Sequence, residues 1–140
     1  MSIFRPGWDT FPTKLLTFYT ERHLNTLTTL RPDGRPHVVP VGVTLDLEHQ
    51  CAWVITRDGS RKVKNIRAAG EDGLLVAACQ VDGGRWSTIE GRAKVVTDQE
   101  SIDRAVELYA QRYRQPSVNP ARVAIRIEID RIAHGRALDD

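Results

Sequence analysis

The stretch Leu74-Leu75-Val76-Ala77-Ala78-Cys79-Gln80-Val81-Asp82-Gly83-Gly84-Arg85-Trp86, continued to Val96, decides the fold. Leu74–Val81 is a nearly unbroken apolar run and reads as a central strand. Asp82-Gly83-Gly84 is turn chemistry. From Arg85 to Val96 the chain alternates, with Ile89, Gly91, Ala93 and Val95 facing one way and Trp86, Thr88, Glu90, Arg92 and Lys94 the other. A strand returning through so short a turn lies antiparallel to its predecessor.

The same logic extends outward. Leu24–Leu30 repeats leucine every third residue, but its threonines favour a strand. Pro32-Asp33-Gly34 turns it into a second β run. In His37–Leu45, Val39, Val41, Val43 and Leu45 share one face, and Val38, Pro40, Gly42 and Thr44 share the other. Pro40 interrupts the ladder, which fits either a bulged edge strand or a face that a flat ligand approaches closely. Cys51–Thr56 is a third strand, and Val123, Ile125, Ile127 and Ile129 mark the clearest strand of the chain.

Three helices complete the pattern. Pro12–Arg22 is amphipathic through Leu15, Leu16, Phe18 and Tyr19, and Ser60–Ala69 is short and ends near Gly70. Thr97–Arg114 has a Thr97/Glu100 capping box and a stripe of Ile102, Ala105, Val106, Tyr109 and Tyr113. Residues 1–10 form an arm whose Phe4 and Trp8 need a surface to lie against, and residues 134–140 form a polar, loosely held tail. The expectation is one mainly β domain over residues 1–140: a six-stranded antiparallel, partly closed barrel with helices at its rim.

Composition narrows the function. With 140 residues, 41% hydrophobic, 27% charged and a net charge of +2, the chain is globular and too balanced for nucleic acid to be its main partner. No apolar run reaches membrane-spanning length and no signal-peptide core is present, so the expected location is cytoplasmic. Cys51 and Cys79 sit in apolar runs without metal or disulfide spacing. His23, His37, His49 and His134 are scattered, so no metal site is expected. Gly-x-Gly-x-x-Gly, P-loop and Gly-x-Ser-x-Gly motifs are missing, and Glu90 and Glu128, on the polar faces of strands, read as solvated or as cross-strand ion-pair partners.

One stretch stands apart. In Thr56-Arg57-Asp58-Gly59-Ser60-Arg61-Lys62-Val63-Lys64-Asn65, a strand enters an Asp-Gly turn and a helix begins with a hydroxyl and two cations. Unpaired N–H groups, the positive end of the helix dipole and these side chains make a seat for phosphate. Taken alone, the stretch is first an ordinary capped helix with solvated cations. Trp86, on the polar face of its strand, reads as an interface or ligand wall. With no nucleophile, base or metal in evidence, a flat, phosphorylated, aromatic cofactor would have to supply the chemistry.

These residues resemble a known family, the pyridoxamine-5'-phosphate-oxidase-like split β-barrels that bind flavin or deazaflavin. Val54-Ile55-Thr56 followed by Ser60-Arg61-Lys62 is similar to the family's phosphate-binding segment, and Arg85-Trp86-Ser87-Thr88-Ile89-Glu90-Gly91 to its Arg-Gln strand, with Trp86 in place of Gln. Leu27–Val41, Cys79–Trp86 and Tyr109–Arg114 look closest to the actinobacterial branch that uses coenzyme F420, and within it to the biliverdin reductases.

The resemblance implies an FMN-binding-like split barrel that is homodimeric, with coenzyme F420 at the subunit interface and FMN as the alternative. Ser60, Arg61 and Lys62 would hold the phosphate, with Asn65 one turn on. His37, Val38, Val39, Pro40, Val41, Ile55 and Thr56 would line the ring, and Trp86 would come from the partner. Arg57 and Lys64 would meet the oligoglutamate tail, and Arg31, Arg35 and Arg85 are candidates for substrate propionates. The implied activity is hydride transfer from F420H2 to a conjugated substrate, biliverdin first. The alternatives are an FMN-dependent oxidase and a non-catalytic flavin or haem module.

Overall fold

In the computed structural model, which describes residues 1–140, the chain runs β1 (Ser2–Phe4), α1 (Thr13–Thr20), β2 (Asn25–Leu30), β3 (Pro36–Val41), β4 (Thr44–Asp46), β5 (Cys51–Arg57), α2 (Arg61–Ala68), β6 (Leu74–Asp82), β7 (Arg85–Val96), α3 (Gln99–Arg112) and β8 (Arg122–His134). A 3-10 turn at Arg136–Leu138 follows. Every strand pair is antiparallel, in the order β3-β2-β6-β7-β8-β5-β4, with β1 added to the end of β8. The two edges of this path, β3 and β4, are joined by Gly42 and Val43 alone, so the sheet curls until its edges meet at that corner. No helix is long and apolar enough to cross a membrane.

The sheet has eight strands, not six. The N-terminal arm contributes β1, paired to His134, Ala133 and Ile132, while Phe4 and Phe11 pack against the main core. The run His37–Leu45 is broken into β3 and β4. At the break, a Cβ on Gly42 would stand 2.8 Å from a Tyr109 ring carbon and 2.9 Å from a Tyr113 one, so only glycine lets α3 approach. Val43 gives its N–H to the Tyr113 hydroxyl (3.1 Å) and its carbonyl to Arg112, which takes it out of the ladder. β7 kinks at a bulge between Glu90 and Gly91, where a Cβ would meet the Glu128 carbonyl.

Two local expectations change. Asp98, not Thr97, caps α3, accepting from Ser101 N–H at 3.0 Å. The C-terminal tail is held: Leu138 is buried in the core, and the Asp140 carboxylate accepts from the N–H groups of Thr13 (2.7 Å) and Lys14 (3.0 Å) at the start of α1. An acidic group on a helix N-terminus satisfies orphan donors and the dipole together.

The main core joins Leu15 and Phe18 of α1 to Leu27, Val54, Ile89, Ile125, Ile127 and Ile132 of the sheet. A smaller cluster beneath α3 holds Cys51, Trp53, Ile102, Ala105 and Ala124. Both cysteines are unpaired, and burial pushes the Cys51 thiol up to about 12. Glu90 pairs with Arg131 across strands, whereas Glu128 pairs with Arg126 on its own strand β8 and not across strands, each at 2.7 Å.

Two polar ties fasten α3. Arg112 is buried and donates to the carbonyls of Glu21 (2.8 Å), Phe18 (3.4 Å) and Val43 and to Gln80 Oε1 (2.9 Å). Gln80 in turn donates to Phe18 O and accepts from Asn25 Nδ2. The fully buried Asp46 carboxylate accepts from Arg104 Nε (3.0 Å) and Nη2 (3.1 Å), Trp53 Nε1 (3.0 Å) and His49 N–H (3.0 Å). Burial alone would raise the Asp46 pKa, but these donors hold it well below the usual carboxylate range.

Arg112→Lys keeps the charge and loses the fork, so it should destabilise the protein by about 2–3 kcal/mol in urea unfolding. Asp46→Asn should cost about 3 kcal/mol at pH 7 by uncoupling Arg104. A depressed carboxylate contributes stability above its unfolded pKa of about 4, and that stability is lost only as pH falls through the lower folded value. The gap between wild type and Asp46→Asn should therefore persist at pH 4 and close only in stronger acid.

Candidate cofactor site

Helix α2 starts where the sequence turns sharply. Gly59 has φ 86°, and Ser60 is the N-cap with extended backbone. The Ser60 side chain makes no capping bond; its Oγ lies 3.4 Å from Thr56 Oγ1. A hydroxyl pair is thus left at the positive end of the helix dipole. Val63 and Ile66 bury one face of α2, and Asn65 Nδ2 donates to Thr29 Oγ1 (3.0 Å) on β2. Asn65 is turned inward and anchors the helix.

Lys62 is half-buried, and its pKa is lowered by burial and then by the Arg57 charge. Arg61 is exposed beside it. Both act on His37, whose pKa is lowered by burial, Arg31, Lys62 and Arg61 in that order. Arg31 Nη2 lies 3.3 Å from His37 Nδ1, and because guanidinium only donates, Nδ1 accepts and the ring proton is on Nε2. The start of β3 and the start of α2 therefore share one electropositive neighbourhood.

A cavity of about 300 Å³ opens next to it. Pro40, Val41 and Gly42 form one wall, Ile55, Thr56, Arg57 and Lys62 another, and Tyr109, Arg114, Pro116, Ser117, Asn119 and Arg122 the third. Four of these residues are cations and none is acidic. Arg57 and Arg122 are directly opposed in the β5–β8 ladder, an arrangement that costs stability. None of the four cations has a carboxylate within 4.0 Å. The donor set is complementary to an anion and not to a metal.

The structure gathers Pro40, Val41, Ile55, Thr56 and Lys62 around this cavity, with Ser60, Arg61 and His37 at its edge through the contacts above. Val38 lies on the outer face of β3, 54% exposed, and Val39 faces the core. Trp86 is not part of the cavity in its own chain; its indole packs on Gly135. Arg57 lines the cavity, whereas Lys64 does not. Of the residues expected to meet propionates, Arg85 is held by Glu21 (2.9 Å) and Asp82, Arg31 by His37, and Arg35 by Asp33.

Glu21, His23 and Asp82 form a group of potential metal ligands. The Arg85 guanidinium already pairs with both acids of that group. Arg114 and Arg122 were not singled out in the sequence; only the fold of the 114–122 loop over β5 brings them to Arg57.

Comparisons with known proteins agree with this arrangement. Residues 11–134 match the family model described as pyridoxamine 5'-phosphate oxidase. An F420H(2)-dependent biliverdin reductase of Mycobacterium tuberculosis is 50% identical over 117 residues, covering 84% of this chain and 82% of that protein. Among solved structures, a conserved hypothetical protein of Mycobacterium tuberculosis superposes with a TM-score of 0.72 at 24% identity, covering 89% of this chain and 84% of the other. An F420 reductase superposes with a TM-score of 0.66 at 21% identity, covering 84% and 94%; both show the likeness of fold. A split antiparallel barrel whose cationic cavity opens beside a Ser-Arg-Lys helix start, matched over nearly its whole length, belongs to the pyridoxamine 5'-phosphate oxidase family.

Proposed function

We propose that this chain is an F420H2-dependent reductase that converts biliverdin to bilirubin. The carrying observation is the 50% identity to a biliverdin reductase over 84% of the chain, together with a cavity whose charged lining residues are all cations. When bound, reduced F420 supplies the hydride that a central methine bridge of the tetrapyrrole accepts.

The residues of this chain then have separable tasks. Lys62, with Ser60, Thr56 and Arg61, holds the phosphate through charge-assisted bonds and the α2 N-terminus. Pro40 and Val41 on one side and Ile55 on the other give the ring an apolar slot, with His37, Val38 and Val39 completing that strand. Arg57 takes tail carboxylates at the cavity mouth. Asn65 keeps α2 in register with β2. Catalysis by such a site is alignment and exclusion of water.

The same reading makes the protein a homodimer. The outer face of β3-β2-β6 carries exposed Leu30, Val38, Leu75 and Val81 beside Pro40, and Trp86 lies opposite Val81 on that face. So much apolar surface on one sheet face is unusual for a monomer. Packing two such faces together would bring Trp86 of one subunit to the Pro40 wall of the other.

Purified protein titrated with F420, FMN and haem should bind F420 alone tightly and oxidise F420H2 only when biliverdin is added; tight FMN binding without F420 binding would end this reading. Lys62→Ala should weaken F420 binding by about 1.5–3 kcal/mol, roughly ten- to a hundredfold. Because binding requires charged Lys62 and its pKa is depressed, wild-type affinity should fall as pH rises, starting below the ordinary lysine value of about 10.4. Lys62→Ala should lack that alkaline limb. Mixing Lys62→Ala with Trp86→Ala subunits should regain activity that neither variant has alone, since a shared site is intact once per mixed dimer. No recovery would place Trp86 outside the site.

A further inference from the structure

One end of the cationic cavity carries donors that the phosphate seat does not use. Tyr109 and Arg114 form the wall where α3 runs out, beside Pro40, Val41 and Gly42. A Cβ on Gly42 would stand 2.8 Å from a Tyr109 ring carbon, so this wall lies against the end of β3, whereas Arg57 and Lys62 belong to the wall of β5 and α2. Arg114 is exposed, has no carboxylate within 4.0 Å, and its guanidinium makes no hydrogen bond within the chain. Its neighbours are committed: Arg112 to the oxygens of Phe18, Glu21, Val43 and Gln80, and Arg122 Nη2 to Ser117 O at 2.7 Å. Tyr113 spends its hydroxyl on His23 O and Val43, but the Tyr109 hydroxyl has no partner. The unpartnered side-chain atoms that are sealed from solvent are Asn25 Oδ1, Thr44 Oγ1 and Asn65 Oδ1, so the Tyr109 hydroxyl is open to solvent.

A free guanidinium and a free phenol hydroxyl on one wall, in a cavity with no acid, are complementary to an anionic oxygen pair. We propose that Arg114 and Tyr109 together recognise a carboxylate of the substrate, which makes them specificity-determining residues for a conjugated acceptor with acidic side chains. The inference rests on the F420 reading above, in which the deazaflavin lies against Pro40 and Val41 and the phosphate at the start of α2. The coenzyme's own carboxylates hang beyond its phosphate, away from the ring. A carboxylate at the β3 end therefore belongs to the molecule that lies on the ring, and biliverdin carries two propionates. The arginines expected from the sequence to meet them are engaged elsewhere: Arg85 with Glu21 and Asp82, Arg31 with His37, and Arg35 with Asp33.

Biliverdin and its dimethyl ester share the reacting system and differ in charge, so comparing them tests the proposal. Wild type, with F420H2 as reductant, should favour the diacid in kcat/KM by about tenfold or more. Arg114→Gln should remove most of that preference through KM, with kcat kept within about twofold. Tyr109→Phe should reduce the preference about fivefold. The double variant should lose less than the product of the two single losses, because both residues hold one group. Equilibrium binding of biliverdin to protein saturated with oxidised F420, read by visible absorbance, should weaken by the same factors, and F420 affinity should stay at the wild-type value in each variant. Weakened F420 binding in Arg114→Gln would assign that residue to the coenzyme's tail and overturn the proposal. So would equal use of diacid and diester by wild type, a preference unchanged in either single variant, or strictly multiplicative losses. Wild type that binds F420 but neither binds nor reduces biliverdin would instead end the substrate reading itself, and the proposal with it.

Discussion

Arg112 spends its guanidinium on the carbonyls of Phe18, Glu21 and Val43 and on the Gln80 side chain, and no carboxylate lies within 4.0 Å of it. Burial of a cation is expensive, and burial lowers the Arg112 pKa. The offset comes from charge-assisted bonds to these four oxygens, and from the Tyr113 ring 5.1 Å from its centre. Three of those oxygens lie where the chain changes direction, at the end of α1 and at the β3–β4 corner, and the fourth is on Gln80 near the end of β6. Tyr113, next in sequence, gives its hydroxyl to His23 O at 2.6 Å and accepts from Val43 N–H. A barrel closed by two residues at its corner needs that corner held from outside the ladder, and α3 does so.

The cationic cavity depends on the same corner. Pro40–Gly42 forms one wall and Tyr109 with Arg114 another, so the proposed ring slot and part of the cationic lining sit on either side of the Arg112–Tyr113 tie. The α2 start, the proposed phosphate end, is set separately by the Asp58-Gly59 turn and the Asn65–Thr29 bond. Two attachments, at the β3–β4 corner and at the α2 start, thus hold two sides of the cationic cavity. The opposed Arg57 and Arg122 repel in the unliganded fold, a cost that an anion bound between them would offset.

Much of this is legible in the amino-acid sequence alone. Alternation in Arg85–Val96 and Val123–Ile129 and the Gly-Gly turn establish the antiparallel sheet, and Thr56 with Ser60–Lys62 stands out as an anion seat because hydroxyl and cations coincide at a helix start. The split at Gly42–Val43 was hidden because valine periodicity runs straight across it; the interrupting partners, Tyr109, Arg112 and Tyr113, are some seventy residues away. β1 and the capping Asp140 were hidden for a similar reason. Three residues of arm and a terminal acid carry no periodicity, and only their distant partners give them structure. Arg114 and Arg122 read as loop and strand-start charges until the fold set them beside Arg57.

The most direct measurement is a crystal structure with coenzyme F420 bound. The account predicts the phosphate within hydrogen-bond reach of Lys62 and Ser60, the deazaflavin against Pro40 and Val41, and Trp86 contributed by a second subunit. A phosphate lodged away from the α2 N-terminus, or a ring outside the slot between β3 and β5, would contradict it.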